Sequence, residues 1–328
     1  MTDTILSYAT ECFEGLKLYR GYDNKLRLFR PERNCSRMLV SASRIALPAF
    51  EPAELLKLIK KLCAIDGPRY LPKDSGKGKF MYIRPTMISD YASLGVAKPA
   101  SALMYVLLSV FPNMDKPTGL RLMASNEDTI RAHEGGWGYA KLGANYGPSL
   151  VAQAEAKSRG YDQVLWLLPN KEGSKKFFEV TEAGASNFFV VMKTKEGVTE
   201  LVTAPIEQKV ILDGVTRRSV LDLALERFSK SSRYSPDTKL EPLVIQERKI
   251  DMQEIVDAAK EGRIVEAFAS GTAYFVSPVS IVHYQGEDLE MPMVKGHTGA
   301  YAEYFKNWLA DIMYGNVQHE WGVVVEDE

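Results

Sequence analysis

Lys141-Leu-Gly-Ala-Asn-Tyr-Gly-Pro148 sets one amine in a glycine-relieved segment, with a phenol five positions later. A lysine acts as a covalent catalyst when its amine condenses with a carbonyl, and the phenol of Tyr146 can hydrogen-bond a neighbouring phenolic oxygen. The pair therefore suits an aldehyde cofactor such as pyridoxal phosphate. A solvated loop lysine is the other reading of the same residues. A pyridoxal site also needs an acid on the ring nitrogen, a phosphate anchor and a grip on the substrate carboxylate.

The chain offers a candidate for each. Glu182, within Glu179-Val-Thr-Glu-Ala-Gly-Ala-Ser-Asn187, follows a strand pattern and precedes a turn, so its carboxylate can emerge at a strand end. A surface glutamate at a turn has the same local pattern. Ile211-Leu-Asp-Gly-Val-Thr-Arg-Arg-Ser-Val220 puts Gly214 just ahead of a helical pattern, so the amides of Val215 and Thr216 are among the unpaired donors of a helix start, where phosphate is stabilised. An ordinary helix start reads alike. No GxxxxGK[ST] is present, and Gly136 to Lys141 has a lysine where a dinucleotide fingerprint wants its last glycine.

Composition narrows the class. The 328 residues are 45% apolar, enough for one large core or two smaller ones, and two domains are expected. Lys+Arg 41 against Asp+Glu 42 leaves no basic footprint for nucleic acid. Lys57, Lys60 and Lys61 read as the wet face of a helix whose Leu55, Ile59 and Leu62 point inward. Cys12, Cys35 and Cys63 are widely spaced and read as thiols of a reducing compartment. The four histidines, His133, His283, His297 and His319, lie far apart, so no metal is expected. The charged first twenty residues and the lack of an apolar run of ~18 argue against a signal peptide or membrane span. A soluble, cytoplasmic protein is expected, with the mitochondrion left open.

Periodicity organises the chain. Gly15 to Arg30 reads as a hairpin turning at Tyr22-Asp23-Asn24. Pro31 opens a helix to about Ala46 with Met38, Leu39, Ser43 and Ile45 on its apolar face, and a second helix runs from Pro52 to Ile65. Phe80 to Ile88 and Leu103 to Val110 look like buried strands. The prolines of Phe111 to Pro117 mark a connection, so residues 1–110 form a small domain, 111–119 a linker and 120–328 a larger domain. Beyond it come strands at Leu120 to Ala124, Gln163 to Leu168, Phe177 to Thr181 and Asn187 to Met192, and helices at Pro148 to Arg159 and Arg217 to Phe228. The fold class is α+β.

Taken together, Phe13-Glu-Gly-Leu-Lys-Leu-Tyr-Arg-Gly21, Leu28-Phe-Arg-Pro31, Arg37-Met-Leu39, Tyr82-Ile-Arg-Pro85, Ser93-Leu-Gly-Val96, Lys141 to Pro148, Gly214 to Ser219 and Ser270-Gly-Thr-Ala273 occur in order along the chain. From about Tyr8 to the C-terminal region the sequence resembles the branched-chain amino-acid aminotransferases of eukaryotic type. That resemblance implies a two-domain fold-type IV pyridoxal phosphate enzyme with the cofactor between its domains. It makes Lys141 the lysine bonded to the cofactor and the acid/base at the substrate Cα, with Tyr146 on the ring oxygen and Glu182 on the ring nitrogen. Arg37, the amides of Val215 and Thr216, and Thr272 are implied to grip the phosphate. Tyr8, Phe13, Tyr82 and Ala273 are implied to surround the substrate, with Arg84 and the Thr272 and Ala273 amides near its carboxylate. Leu94 and Val96 reach into a partner's pocket in the family, which implies a homodimer. The reaction implied is exchange of an amino group between Leu, Ile or Val and 2-oxoglutarate.

Some features depart from the family. It carries several dozen residues ahead of the Tyr8 region, so the small domain is expected to lack opening strands. Ala185 and Ser186 stand where Thr and Met are usual, and the Val110-Phe111-Pro112 connection is shorter. A redox CxxC found in some members is absent. These differences keep two alternatives: another enzyme of the same fold, such as a D-amino acid transaminase or aminodeoxychorismate lyase, or a shortened paralogue that binds cofactor without turnover.

Overall fold

The computed structural model describes residues 7–73, 78–110, 118–172, 175–230, 232, 240–273, 275–294 and 298–326. The linker proposed at 111–119 falls mostly on 111–117, outside the described residues. Two compact units emerge, one of Met1–Asn113, Ala140–Gly147 and Trp308–Glu328, the other of Met114–Tyr139 and Pro148–Asn307. Ala140–Gly147 and Trp308–Glu328, expected in the second domain, cluster with the first unit because their backbones pair with it.

In the first unit, β1 (Glu11–Phe13) precedes the hairpin of β2 (Leu16–Arg20) and β3 (Leu26–Phe29), registered Leu18 to Leu28 and Arg20 to Leu26. Asn24 closes the turn at φ 62, a left-handed conformation that asparagine tolerates. Strand β4 (Phe80–Ser89) carries β1 and β2 in succession along one edge and β5 (Ala102–Val110) on the other. The reading of β5 as buried is wrong. It is an edge strand, with Leu103 52% and Leu107 55% exposed, so its apolar run marks an uncovered surface.

The helix Pro31–Arg44 has proline in its first turn, but it buries Pro31, Asn34, Cys35, Met38, Ser41 and Ala42. Of the expected face only Met38 belongs to that stripe. Asn34 and Ser41 are buried because each has a hydrogen-bond partner inside: Asn34 Nδ2 donates to Glu14, and Ser41 Oγ accepts from the Lys141 amide. The helix Pro52–Tyr70 extends past its expected end and turns Cys63, rather than Leu62, fully inward beside Leu55 and Ile59. Gly67 lets it approach the hairpin, since a Cβ there would lie 2.7 Å from Leu26 and 2.9 Å from Leu18. The three cysteines are free and buried, and burial pushes each thiol up to about 12.

The second unit is built on strands β6 (Leu120–Ala124), β7 (Gln163–Glu172), β8 (Lys175–Ala183), β9 (Ser186–Lys193), β10 (Thr199–Thr203), β11 (Val244–Glu247), β12 (Ile264–Gly271), β13 (Phe275–Tyr284) and β14 (Glu287–Glu290). Pairing runs β9-β12-β13-β6-β7-β8 and returns to β9 through Glu182 opposite Asn187 and Ala183 opposite Ser186. Strands β10 and β11 extend from β9, and β14 flanks β13. The interior packs Leu165, Phe188, Val190, Ala267 and Val279 against Ile255 of the helix Met252–Lys260. Helices Leu150–Ser158 and Val215–Phe228 complete it. The helix Ala300–Met313 leads the chain back to the first unit, where β15 (Gly322–Val325) pairs antiparallel with β3.

One buried acid fastens this last helix. Glu266 of β12 accepts the amides of Tyr301 at 2.9 Å and Ala302 at 2.7 Å, satisfying donors at the helix start. Burial nevertheless dominates those bonds and pushes its carboxyl up to about 7. A raised acid value means the folded chain holds a proton that the unfolded chain has lost above its ordinary value of 4.5. This contribution is fully present below that value and fades as the pH rises towards 7, at up to ~1.4 kcal/mol per pH unit. Glu266→Gln is expected to flatten that part of the stability profile, checked by denaturant unfolding from pH 5 to 8. A variant curve parallel to the parent's refutes the assignment.

Candidate active site

Lys141 is held in the first unit by its backbone. Its amide donates to Ser41 Oγ at 2.8 Å, and its carbonyl accepts the Phe13 amide at 3.1 Å. Gly143 opens a one-turn 3-10 helix (Gly143–Asn145) and has no room for a side chain, since a Cβ would lie 1.7 Å from Glu11 Oε1. That turn brings Tyr146 back under the lysine. Lys141 Nζ donates to the Tyr146 hydroxyl at 3.1 Å and lies 4.9 Å from the Phe13 ring centroid. The Phe13 and Tyr146 rings are 5.2 Å apart, tilted by 51°.

Arg84 joins the same group. Its guanidinium lies 4.7 Å from the Phe13 ring centroid, and Nη2 donates to the Tyr82 hydroxyl at 3.0 Å. Arg84 Nε is buried without a hydrogen-bond partner in the protein, an orphan of the kind that a bound anion satisfies. Tyr82 needs the bare backbone at Gly15, where a Cβ would stand 2.0 Å from its hydroxyl. Tyr8 donates to the Leu94 carbonyl at 2.7 Å, while the Leu94 and Val96 side chains are 80% and 86% exposed.

Arg37 is engaged by a residue that sequence reading passed over as part of a motif. Glu14 is buried and accepts Arg37 Nε at 2.7 Å, Arg37 Nη2 at 2.8 Å and Asn34 Nδ2 at 2.8 Å. Burial pushes the Glu14 carboxyl up, but the Arg37 guanidinium, joined by the Lys141 charge and the Asn34 amide, outweighs it and holds the group below the ordinary glutamate range. The signal in the sequence was indirect: Asn34 and Ser41 recur on the buried stripe of their helix, and such polar positions need partners.

A second cluster lies in the other unit. Glu182 is the penultimate residue of β8, just before the chain turns at Gly184 with φ 58, and it is buried. Its Oε2 forms an ion pair with Arg131 Nη1 at 2.5 Å, and Oε1 accepts Asn187 Nδ2 and the Leu212 amide, each at 3.3 Å. Asn187 also donates to the Leu212 carbonyl at 2.9 Å. Gly214 caps the helix Val215–Phe228 without a side chain, and a Cβ there would meet Asn187 Oδ1 at 2.1 Å. The helix start has no side-chain cap and no acidic residue in its first turn, which leaves its positive end for an anion. Ser270, opposite Asn187 in the β12–β9 ladder, has a buried hydroxyl without a hydrogen-bond partner in the protein. Thr272 and Ala273 follow just past the end of β12, half-buried.

Each cluster by itself offers groups of the kind that pyridoxal phosphate needs. One holds an amine on a phenol. The other holds a buried carboxylate beside an uncapped helix start and an unsatisfied serine. Arg131 and Asn187 were not singled out from sequence, because the groups they serve are distant in the chain.

A family model described as class IV amino-transferase matches residues 11–282, and the chain belongs to that family. Among curated relatives, the cytosolic branched-chain-amino-acid aminotransferase of Saccharomyces cerevisiae is 43% identical over 98% of this chain and 82% of its own length. The mitochondrial branched-chain-amino-acid aminotransferase of Mus musculus is 41% identical over 96% of this chain and 75% of its own. Among solved structures, the branched-chain amino acid aminotransferase of Thermobaculum terrenum, in its pyridoxal phosphate form, superposes with TM-score 0.74 at 24% identity, covering 99% of this chain and 92% of that one. The Thermoproteus uzoniensis branched-chain aminotransferase, solved with norvaline, gives 0.73 at 24% identity over 99% and 93%. The fold is thus the one expected from the sequence.

Proposed function

We propose that this chain exchanges the amino group of a branched-chain L-amino acid (Leu, Ile or Val) with 2-oxoglutarate, giving the corresponding 2-oxo acid and L-glutamate. The support is the 43% and 41% identity to branched-chain aminotransferases together with a site that fits the cofactor. Bound pyridoxal phosphate supplies an aldehyde for the amine and an electron-withdrawing ring that acidifies the substrate Cα. The chain's own residues supply the rest.

Lys141 would hold the cofactor through its amine, and the same Nζ, when free, would take and return the proton at the substrate Cα. The observation that carries this assignment is the Lys141 Nζ to Tyr146 hydroxyl bond of 3.1 Å above the Phe13 ring. Tyr146 orients that amine and would bond the cofactor's ring oxygen. Glu182 would hold the proton on the ring nitrogen. The phosphate falls to the Val215 and Thr216 amides, Thr272 and Arg37, whose charge is shared with Glu14. Arg84, through its orphaned Nε, takes the substrate carboxylate with the Thr272 and Ala273 amides. Tyr8, Phe13 and Tyr82 line the substrate side chain, an apolar setting in which each methylene discriminates by only about 1–3 kcal/mol, so neighbouring apolar substrates also react.

A homodimer completes the proposal. Leu94, Val96, Leu103 and Leu107 place apolar side chains in solvent on one unit, a cost that burial against a second copy removes. The test of function is direct. Cofactor-loaded protein should show a visible absorption band that changes on adding L-leucine, with stoichiometric 4-methyl-2-oxopentanoate. A coloured protein that ignores leucine, isoleucine and valine overturns the substrate, and one that takes up no cofactor overturns the whole proposal.

A further inference from the structure

Arg131 stands outside every motif that carries the family likeness, yet its side chain is only 8% exposed and its guanidinium ends 2.5 Å from Glu182 Oε2, itself on a side chain 3% exposed. The loop that presents it is fixed from both sides. Ala132 packs on the apolar cluster of Leu168, Ala204, Val210 and Ile211. Gly138 lies so close to the Val210 carbonyl that a Cβ would stand 2.0 Å from its oxygen. The arginine is therefore presented by a fixed backbone and is not a surface charge that has swung inward.

A buried ion pair is a poor device for stability, because desolvating two charges offsets their attraction and well-packed apolar residues serve as well. Its value lies in what it fixes. Two further donors to Glu182, the Asn187 amide group and the Leu212 backbone amide, are neutral. Asn187 meanwhile fills the space left by Gly214 at the helix start, so the carboxylate and the phosphate amides share one support. We infer that Arg131 is a positioning residue of the cofactor site, keeping the Glu182 carboxylate ionised and in one orientation so that it can hold the proton on the cofactor's ring nitrogen. The inference rests on the proposed role of Glu182.

The test compares Arg131→Gln, Arg131→Lys and Glu182→Gln with the parent by two measurements: pyridoxal phosphate affinity of the apoprotein from quenching of its tryptophan fluorescence, and the pH titration of the bound cofactor's visible band. Thermal unfolding of each apoprotein reports folding. Arg131→Gln is expected to weaken cofactor binding roughly tenfold, by analogy with outer partners of metal ligands. It should also move the titration by about one pH unit in the direction of Glu182→Gln. Arg131→Lys, which keeps the charge, stays near the parent titration. An Arg131→Gln protein that melts earlier but titrates like the parent shows a merely structural ion pair and overturns the inference. If Glu182→Gln itself leaves affinity and titration unchanged, the reading of Glu182 fails and this one falls with it.

Discussion

Lys141→Ala is expected to lower kcat/KM for L-leucine on the order of 10⁴-fold, since it removes both the covalent attachment point and the acid/base at the substrate Cα. The loss should be chemical and not structural. What holds residue 141 in place is its backbone, bonded to Ser41 Oγ and to the Phe13 amide, and neither bond involves the side chain. Truncation at Cβ leaves the turn of Gly143–Asn145 and the Phe13–Tyr146 ring contact intact. Unfolding midpoints of parent and variant should therefore agree within about 2 °C, a change of under roughly 1 kcal/mol. Lys141→Arg keeps the charge but offers no amine that condenses at neutral pH, so it is equally inactive. Borohydride reduction of the parent followed by peptide mapping should fix the cofactor on residue 141 alone. A Lys141→Ala protein that transaminates at the parent rate ends the assignment.

How far the sequence led is clearest from the elements that differ. The hairpin and the helices from Pro31 and Pro52 were legible because proline, a turn cluster and a repeating apolar face coincide. No strand was read at β12, where Glu266 interrupts the apolar run Ile264-Val-Glu-Ala-Phe268. That acid is buried because it caps a helix whose Tyr301 lies 35 residues on, and local pattern carries no sign of a distant partner. Strand β5 misled in the opposite sense, since an apolar run reads the same whether its cover is the chain's own core or something else.

The site divides along the same line. Lys141 and Tyr146 could be paired on paper because a short glycine-containing turn joins them, and the structure brings them together. Glu14 with Arg37 and Glu182 with Arg131 are contacts between separate elements, invisible to spacing. In each case an arginine is matched to a buried acid, and only the fold identifies which acid. By spacing alone Arg37 reads as an ordinary helix-surface charge, and the family likeness makes it one of several phosphate contacts; in the structure it is half of an ion pair.

That pair sets the largest expected effect on stability. Glu14→Ala leaves the Arg37 guanidinium, 10% exposed, without its carboxylate and strips acceptors from Asn34 Nδ2 and the Gly15 amide. Breaking a buried pair by removing one partner costs about 3–5 kcal/mol, because the stranded charge stays desolvated. The first-unit transition should accordingly fall by roughly 10 °C. The pH profile separates charge from shape. Because the folded Glu14 carboxyl is held below its ordinary value of 4.5, its contribution is complete above that value and is lost as the pH falls through the lower folded value. Glu14→Gln, similar in shape but neutral, should be less stable than the parent at pH 7 and converge with it in acid. Denaturant unfolding between pH 3.5 and 7 reads both curves. If they run parallel, Glu14 contributes through its hydrogen bonds alone and the guanidinium of Arg37 does not depend on its charge.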